Sequence, residues 1–306
     1  MKIGFQMDNI SSLNCKTDST LPIIFESQKR KNNNFIYHPS DLVFKEGKIF
    51  AEAYSINSLS SDFKKYKLST GKKLLLNSLD IIFVRQDPPY DMAYISSMHT
   101  LEQINSKTKI INNPKGIRNA PEKLLMLKFP KLIPPTIITR SRKEVEEFLK
   151  KYTKCVIKPL YGNGGEGIFF LNKFDKNYNQ IIESFLSKSN EPFIVQNFLP
   201  EIKKGDKRII LVKGDPVGVI KRIPKKNEIR SNIHVGGKCV KAKLSKKDFH
   251  ICESIKQDLI ENGLYFVGID IIGGFLTEIN VTSPTCIQEI KHLYKIDIAK
   301  IIWDNI

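Results

Sequence analysis

Five cysteines in 306 residues (Cys15, Cys155, Cys239, Cys252 and Cys286) are odd in number and widely scattered, and none stands in a CxxC pair. That excludes a disulfide framework and a zinc site of ordinary spacing, and points to a reducing compartment. Uncharged apolar runs stay well short of the ~18 residues that span a bilayer, and Asp8 interrupts the stretch from Met1 where a signal peptide needs its apolar core. A soluble, cytoplasmic protein without a membrane partner is expected. Acidic residues are also short: 32 Asp and Glu stand against 49 Lys and Arg, a net charge of +17. The excess favours anionic partners, but much of it lies in lysine pairs such as Lys64-Lys65 and Lys225-Lys226, where a solvated surface is the simpler account. No Arg-rich aromatic signature accompanies these lysines, so nucleic acid is not the expected partner. Internal repeats and low-complexity tails are missing as well.

What is present is enough apolar residue, 41%, to bury the cores of two or three domains. Lys2 to Met7 and Leu79 to Val84 read as strands, with helix-like and irregular chain between them. Met92 to Ile104 has helical spacing, and Lys109 to Asn112 is a further strand. Strands separated by helices predict an α/β layer over residues 1–120. A helix is expected after Asn119-Ala120-Pro121, and another from Ser141 through Lys151 with Ser141 as its cap. Strands follow at Cys155–Lys158, Ile168–Leu171 and Phe193–Asn197, with a helix through Leu186 between the last two. Strands near Arg208–Val212 and Val217–Arg222, a helix over Lys246–Glu261 and a closing hairpin around Gly273-Gly274 complete an α+β arrangement.

The hairpin carries the most chemistry. Alternation puts Glu278 and Asn280 on one face of their strand and Ile279 and Val281 on the other. A three-residue loop (Gly273-Gly274-Phe275) would set Asp270 directly opposite Glu278, and two like charges there make sense if a divalent cation lies between them. A strict two-residue turn would pair Asp270 with Thr277 instead, leaving the acids as solvent-facing groups. Upstream, Lys158 ends a β-branched strand just before Tyr161-Gly162-Asn163-Gly164-Gly165-Glu166-Gly167. Glycines there expose backbone N–H groups that can close over phosphate oxygens. The segment lacks the Gly-Lys-Ser/Thr ending of a Walker loop and leads into a strand rather than a helix. Phe193 to Pro200 offers backbone groups and an apolar wall of the kind that holds adenine between two lobes. Arg208, Arg222 and Arg230 supply guanidinium groups suited to carboxylate or phosphate.

Taken together, these segments resemble bacterial glutathione synthetase, of the ATP-grasp superfamily. The resemblance runs through nearly the whole chain, with Met7-Asp8, Arg85 to Pro89, Asn119 to Leu124, Lys158 to Gly165, Gln196 to Pro200, Gly205 to Arg208 and Thr277 to Cys286 as landmarks. It implies an ATP-grasp fold with a Rossmann-like N-terminal α/β domain (1–120), a central lobe (121–199) and a C-terminal lobe (200–306) that clasp ATP. It further implies that Lys123 and Lys158 contact phosphates, that Gly162, Asn163, Gly164 and Gly165 cover them, and that Gln196, Asn197, Phe198 and Leu199 meet adenine, with Asp206 beside the nucleotide. Asp270, Glu278 and Asn280 would hold Mg²⁺ (or Mn²⁺). Arg208, Arg222, Arg230 and Asn232 would serve an acyl-phosphate intermediate and substrate carboxylates, and Arg85, Ser283 and Thr285 would lie beside γ-glutamylcysteine. The implied reaction joins γ-glutamylcysteine to glycine with ATP, in a homo-oligomer such as a tetramer. The alternative is another ATP-grasp peptide or amino-acid ligase. Departures fall on the acceptor side: Gln86 replaces the family's Lys, Ser231 its Gly, His234-Val235 two Ala, and Gln288 an Arg. Cys286 is expected to serve packing, and His234 to be a loop residue.

Overall fold

The structure is a computed structural model that describes residues 1–162, 164–225 and 236–306. Asn163, Arg230, Ser231, Asn232, His234 and Val235 lie outside the described residues. Three sheets organise the rest.

The first sheet has eight strands: β1 (Lys2–Gln6), β2 (Asn33–Tyr37), β3 (Leu42–Lys45), β4 (Lys48–Leu59), β5 (Tyr66–Leu68), β6 (Lys72–Leu75), β7 (Ile81–Val84) and β8 (Lys109–Ile111). Its centre runs β2-β1-β7-β8 and is parallel, with α1 (Thr20–Lys29) crossing from β1 to β2 and α2 (Met92–Leu101) from β7 to β8. This is the expected α/β layer, since parallel neighbours need a crossover element. The stretch between β1 and β7 departs from expectation, because it holds five strands in addition to α1. Antiparallel β4 carries β2 and β3, and β5 and β6 also pair with it. Lysines and serines interrupt the apolar alternation in those strands, so pairing partners rather than local pattern define them.

Pro114–Arg118 forms a short α3, but the helix expected after Pro121 is absent, and only a 3₁₀ turn occurs at Leu125–Lys128. Leu124 and Leu125 both donate to Pro121 O, and the chain then turns into packing against the C-terminal lobe. The second sheet is antiparallel in the order β11-β10-β12-β9, from β9 (Thr136–Thr139), β10 (Lys154–Pro159), β11 (Phe169–Asn172) and β12 (Phe193–Asn197). The helices α4 (Arg142–Tyr152) and α5 (Tyr178–Lys188) cover it through Val145, Leu149 and Ile182, which meet Cys155, Ile157 and Val195.

The third sheet runs β15-β14-β13-β16-β17, from β13 (Asp206–Val212), β14 (Asp215–Ile223), β15 (Lys238–Lys241), β16 (Phe266–Ile272) and β17 (Phe275–Asn280). Alternation along β13 decides its partners. Ile209 and Leu211 join Ile251, Ile255 and Leu259 of α6 (Lys246–Glu261). Ile210 and Val212 meet α7 (Ile287–Tyr294) and α8 (Ile298–Asp304) in a cluster shared with Ile3, Phe5 and Phe83 of the first sheet. Trp303 seals that junction, 5.3 Å from the Phe83 ring and donating to Ile23 O at 2.9 Å.

Candidate active site

The hairpin β16–β17 turns on two residues, Gly273 and Gly274, both at positive φ (58° and 84°), as a tight hairpin turn requires. Ile272 pairs with Phe275 and Ile271 with Leu276, which alone would have set Asp270 against Thr277. A bulge follows. Thr277 is the extra residue, its hydroxyl donating to Asp270 O at 3.1 Å, and Asp270 then pairs with Glu278 and Gly268 with Asn280. The facing carboxylates therefore arise, but through a two-residue turn plus a bulge and not through a three-residue loop.

Asp270 is buried and held by two guanidinium groups. Arg208 grips it at 2.5 and 2.9 Å, and Arg222 Nη2 approaches at 2.9 Å while Arg222 also pairs with Asp206. Burial alone would raise the Asp270 carboxyl, but the two guanidiniums outweigh it and hold the group well below the usual carboxylate range. Glu278 is partly exposed and meets Lys123 Nζ at 3.3 Å, and the same ammonium donates to Gly162 O of the glycine loop. Lys158, buried at the end of β10, reaches Gln196 Oε1 at 3.4 Å. Burial pulls its ammonium down to about 8, and Lys123 adds to that pull, while Glu278 and Asp270 act in the opposite direction.

These groups converge on one cleft of about 120 Å³ between the second and third sheets. Of the residues named from sequence, its walls hold Lys123, Lys158, Gly162, Gly165, Gln196, Asn197, Phe198, Leu199, Asp206, Arg222, Asp270 and Glu278. Val156, Ile168, Ile202 and Ile272 complete an apolar side suited to a flat base. Arg208 lies behind Asp270 and not in the wall, and Gly164 stands in open space on the loop. Asn280 donates its amide to Gly268 O at 3.2 Å, which leaves its Oδ1 as a further oxygen donor next to Glu278. Arg85, Ser283 and Thr285 form a separate group. Arg85 is buried, donates to Thr20 Oγ1 at 3.1 Å and to Pro284 O at 3.2 Å, and receives Ser283 Oγ on its own carbonyl at 3.4 Å.

Sequence reasoning missed Glu122. Its side chain accepts from Thr282 Oγ1 at 2.7 Å, its carbonyl accepts from Ile279 N at 3.2 Å, and desolvation together with the Glu278 charge pushes its carboxyl up to about 7. Its position next to Lys123 was the one available signal. Gln86 is buried, its Oε1 accepting from Gln6 Nε2 at 2.5 Å and from Ser97 Oγ at 3.2 Å, so the amide completes a neutral network. Among the described residues no group of three or more His, Cys, Asp and Glu converges as a metal cage. Asp270 and Glu278 line the cleft, and Asn280 follows Glu278 two residues on along β17; two carboxylates with an amide oxygen suit a hard divalent ion that shares its coordination with phosphate and water.

A cleft between two antiparallel sheets, floored by lysines and roofed by a glycine loop, is ATP-grasp architecture. Residues 122–295 match the family described as prokaryotic glutathione synthetase, ATP-grasp domain, and residues 1–118 match its N-terminal domain. The chain belongs to the prokaryotic glutathione synthetase family. A glutathione synthetase of Agrobacterium fabrum is 43% identical over 306 residues, covering 99% of this chain and 95% of that protein. One of Mesorhizobium japonicum is 42% identical (100% and 98% covered), and one of Synechocystis is 38% identical over 305 residues (96% and 95% covered). Among solved structures, D-cycloserine synthetase DcsG superposes with a TM-score of 0.70 at 10% identity, covering 100% of this chain and 99% of that one. The ATP-grasp ligase PsnB complexed with minimal precursor gives 0.64 at 15% identity, with 99% and 97% covered. These neighbours share the ATP-grasp fold. As a member of the glutathione synthetase family, the protein is an ATP-dependent carbon–nitrogen ligase, and its family uses ATP with a divalent metal. No helix among the described residues is long and apolar enough to cross a membrane.

Proposed function

We propose that the protein joins γ-L-glutamyl-L-cysteine to glycine through an acyl phosphate, with ATP cleaved to ADP and phosphate. The observation that carries this is the pairing of Asp270 with Glu278 beside Lys123 and Lys158 in one cleft of a glutathione synthetase chain. The cysteine carboxylate attacks the γ-phosphorus and ADP leaves; glycine's amine then attacks the acyl carbon, phosphate leaves, and the amine gives up a proton.

Lys123 and Lys158 neutralise phosphate charge, and the loop of Gly162, Asn163, Gly164 and Gly165 covers it. Gln196 to Leu199 hold adenine, with Asp206 keeping Arg222 in place beside them. Asp270, Glu278 and Asn280 hold Mg²⁺ or Mn²⁺, which when bound lowers the charge on the transferring phosphoryl group. Arg208, Arg222, Arg230 and Asn232 stabilise the intermediate, and Arg85, Ser283 and Thr285 position the dipeptide. Such a reaction needs no side-chain nucleophile, and burial pushes the Cys286 thiol up, away from reactivity. The setting is cytoplasmic and the assembly a homo-oligomer, which light scattering of the purified protein would check.

Phosphate release decides the substrate. Release that requires γ-glutamylcysteine and glycine together supports the proposal; release with a different acceptor pair, and none with this one, assigns another ATP-grasp ligation.

A further inference from the structure

The connection from β17 to α7, residues 281–286, carries Ser283 and Thr285, and three residues from distant segments hold it. Asn112 Nδ2 donates to Val281 O at 2.8 Å, and Arg85 Nη2 donates to Pro284 O at 3.2 Å while Arg85 O receives Ser283 Oγ at 3.4 Å. The third is Glu122, whose carboxylate receives Thr282 Oγ1 at 2.7 Å. Thr282 is buried, so its hydroxyl would be costly without an acceptor. Of the three holders, Glu122 alone is next in the chain to a residue of the nucleotide-cleft wall. That residue, Lys123, meets Glu278 Oε1 at 3.3 Å and donates to Gly162 O. The Glu122 carbonyl also accepts from Ile279 N at 3.2 Å, on β17 between Glu278 and Asn280. One residue thus grips the strand of the proposed metal ligands at one point and the connection after it at another.

There is little slack at this junction. Pro88, Tyr90, Glu122, Lys123, Tyr161 and Gly162 border a gap of about 10 Å³, at the lower limit for a single water. Tyr90 stacks on Tyr161 of the glycine loop with ring centroids 6.1 Å apart, and its hydroxyl lies 2.9 Å from Ile117 O and 2.6 Å from Arg118 O. In such close packing a shift of Glu122 passes to its neighbours. Desolvation and the nearby Glu278 charge both oppose an ionised carboxyl here, so packing alone would be better served by an apolar side chain. We propose that Glu122 is a positioning residue of the ligase reaction: through Thr282 it sets the β17–α7 connection in register with Lys123, so that the acceptor carboxylate and the γ-phosphorus meet at attacking distance. The inference rests on the roles proposed above for Lys123, Ser283 and Thr285. A misplacement of about 1 Å between reacting groups can cost on the order of 10²-fold in rate, which gives a single tie between the two sides its weight. The Glu122 carboxylate is occupied by Thr282 and needs no contact with substrate.

The test is a double-variant cycle of Glu122→Ala and Thr282→Val in the full chain, with circular dichroism and melting temperature to confirm folding. Glu122→Ala should lower kcat by about 10²-fold and raise KM for γ-glutamylcysteine about tenfold, while KM for ATP stays within about threefold because Lys158 and the adenine wall are untouched. Thr282→Val removes the hydroxyl at nearly constant shape and should change both constants in the same direction, and the double variant should be no worse than Glu122→Ala alone. A brace with a merely structural role would lower kcat in step with the folded fraction and leave every KM unchanged. That pattern, or effects that multiply in the double variant, overturns the assignment. Should Glu122→Ala not fold, Thr282→Val decides alone, and an unchanged KM for γ-glutamylcysteine in it overturns the assignment equally. If the wild type releases no phosphate with γ-glutamylcysteine and glycine, it is the substrate proposal that fails, and the same cycle is read on the acceptor pair that does drive release.

Discussion

Lys158 faces the cleft as a buried ammonium that gives up its proton near pH 8 rather than near 10.5. The phosphate contact proposed for Lys158 needs the charged form, so on that proposal kcat/KM for ATP should fall above pH 8, approaching tenfold per unit. Stability should move the other way. Between pH 8 and 10.5 the unfolded chain binds more protons at this position than the folded one, so Lys158 makes folding more favourable as pH rises. Rate and denaturation profiles of Lys158→Arg, whose guanidinium stays charged, should lack both trends. On the metal-holding role proposed for them, Glu278→Ala and Asn280→Ala should each lower kcat by about 10²-fold or more, with little change in melting temperature because neither side chain is part of a core. Retained turnover in both would remove them from the site. Lys158 was recognisable because a strand end and a glycine loop flank it. Glu122 was not, because nothing local tells that its side chain meets Thr282, 160 residues away.

Elements with capping signals and clean periodicity were legible almost to the residue. The span predicted for α6 is the observed one, Lys246–Glu261, since Ser245 and Asp248 form a reciprocal capping box: Ser245 Oγ accepts from Asp248 N at 3.2 Å and Asp248 Oδ2 from Ser245 N at 2.7 Å. Ser245→Ala should cost about 1 kcal/mol in urea denaturation, while Asp248 keeps its ion pair with Lys207. Asn119-Ala120-Pro121 has the same kind of signal without the outcome. Apolar Leu124, Leu125 and Met126 are drawn into the core beneath β17 after a single turn, and tertiary burial outweighs the modest propensity of a short helix. In the β16–β17 hairpin the two glycines announced a turn, but only the bulge at Thr277 restored the register that lets two acids face each other.

At the scale of the whole molecule, a few long-range contacts hold the sheets in the order that makes the cleft. Asn112, just past β8, donates to Phe266 O and Val281 O at 2.8 Å each, and its Oδ1 accepts from Phe266 N at 2.7 Å. Asn112→Ala leaves those buried backbone groups unpaired and should cost about 3 kcal/mol, read as a lower urea midpoint together with a higher KM for the acceptor substrates. Such ties link positions over 150 residues apart, and no period or motif along the chain encodes them. What the sequence by itself determined is the chemical inventory and its local setting: a glycine loop after a strand-end lysine, an acid and an amide on one strand face, and a family membership spread over the full length. Those follow from side-chain alternation and backbone freedom, which act within a few residues. The tertiary structure alone decided that Asp270 is gripped by Arg208 and Arg222, that Lys158 is desolvated, and that Glu289 is buried without a partner among the described residues, since burial and charge pairing depend on which distant segments exclude water from a group.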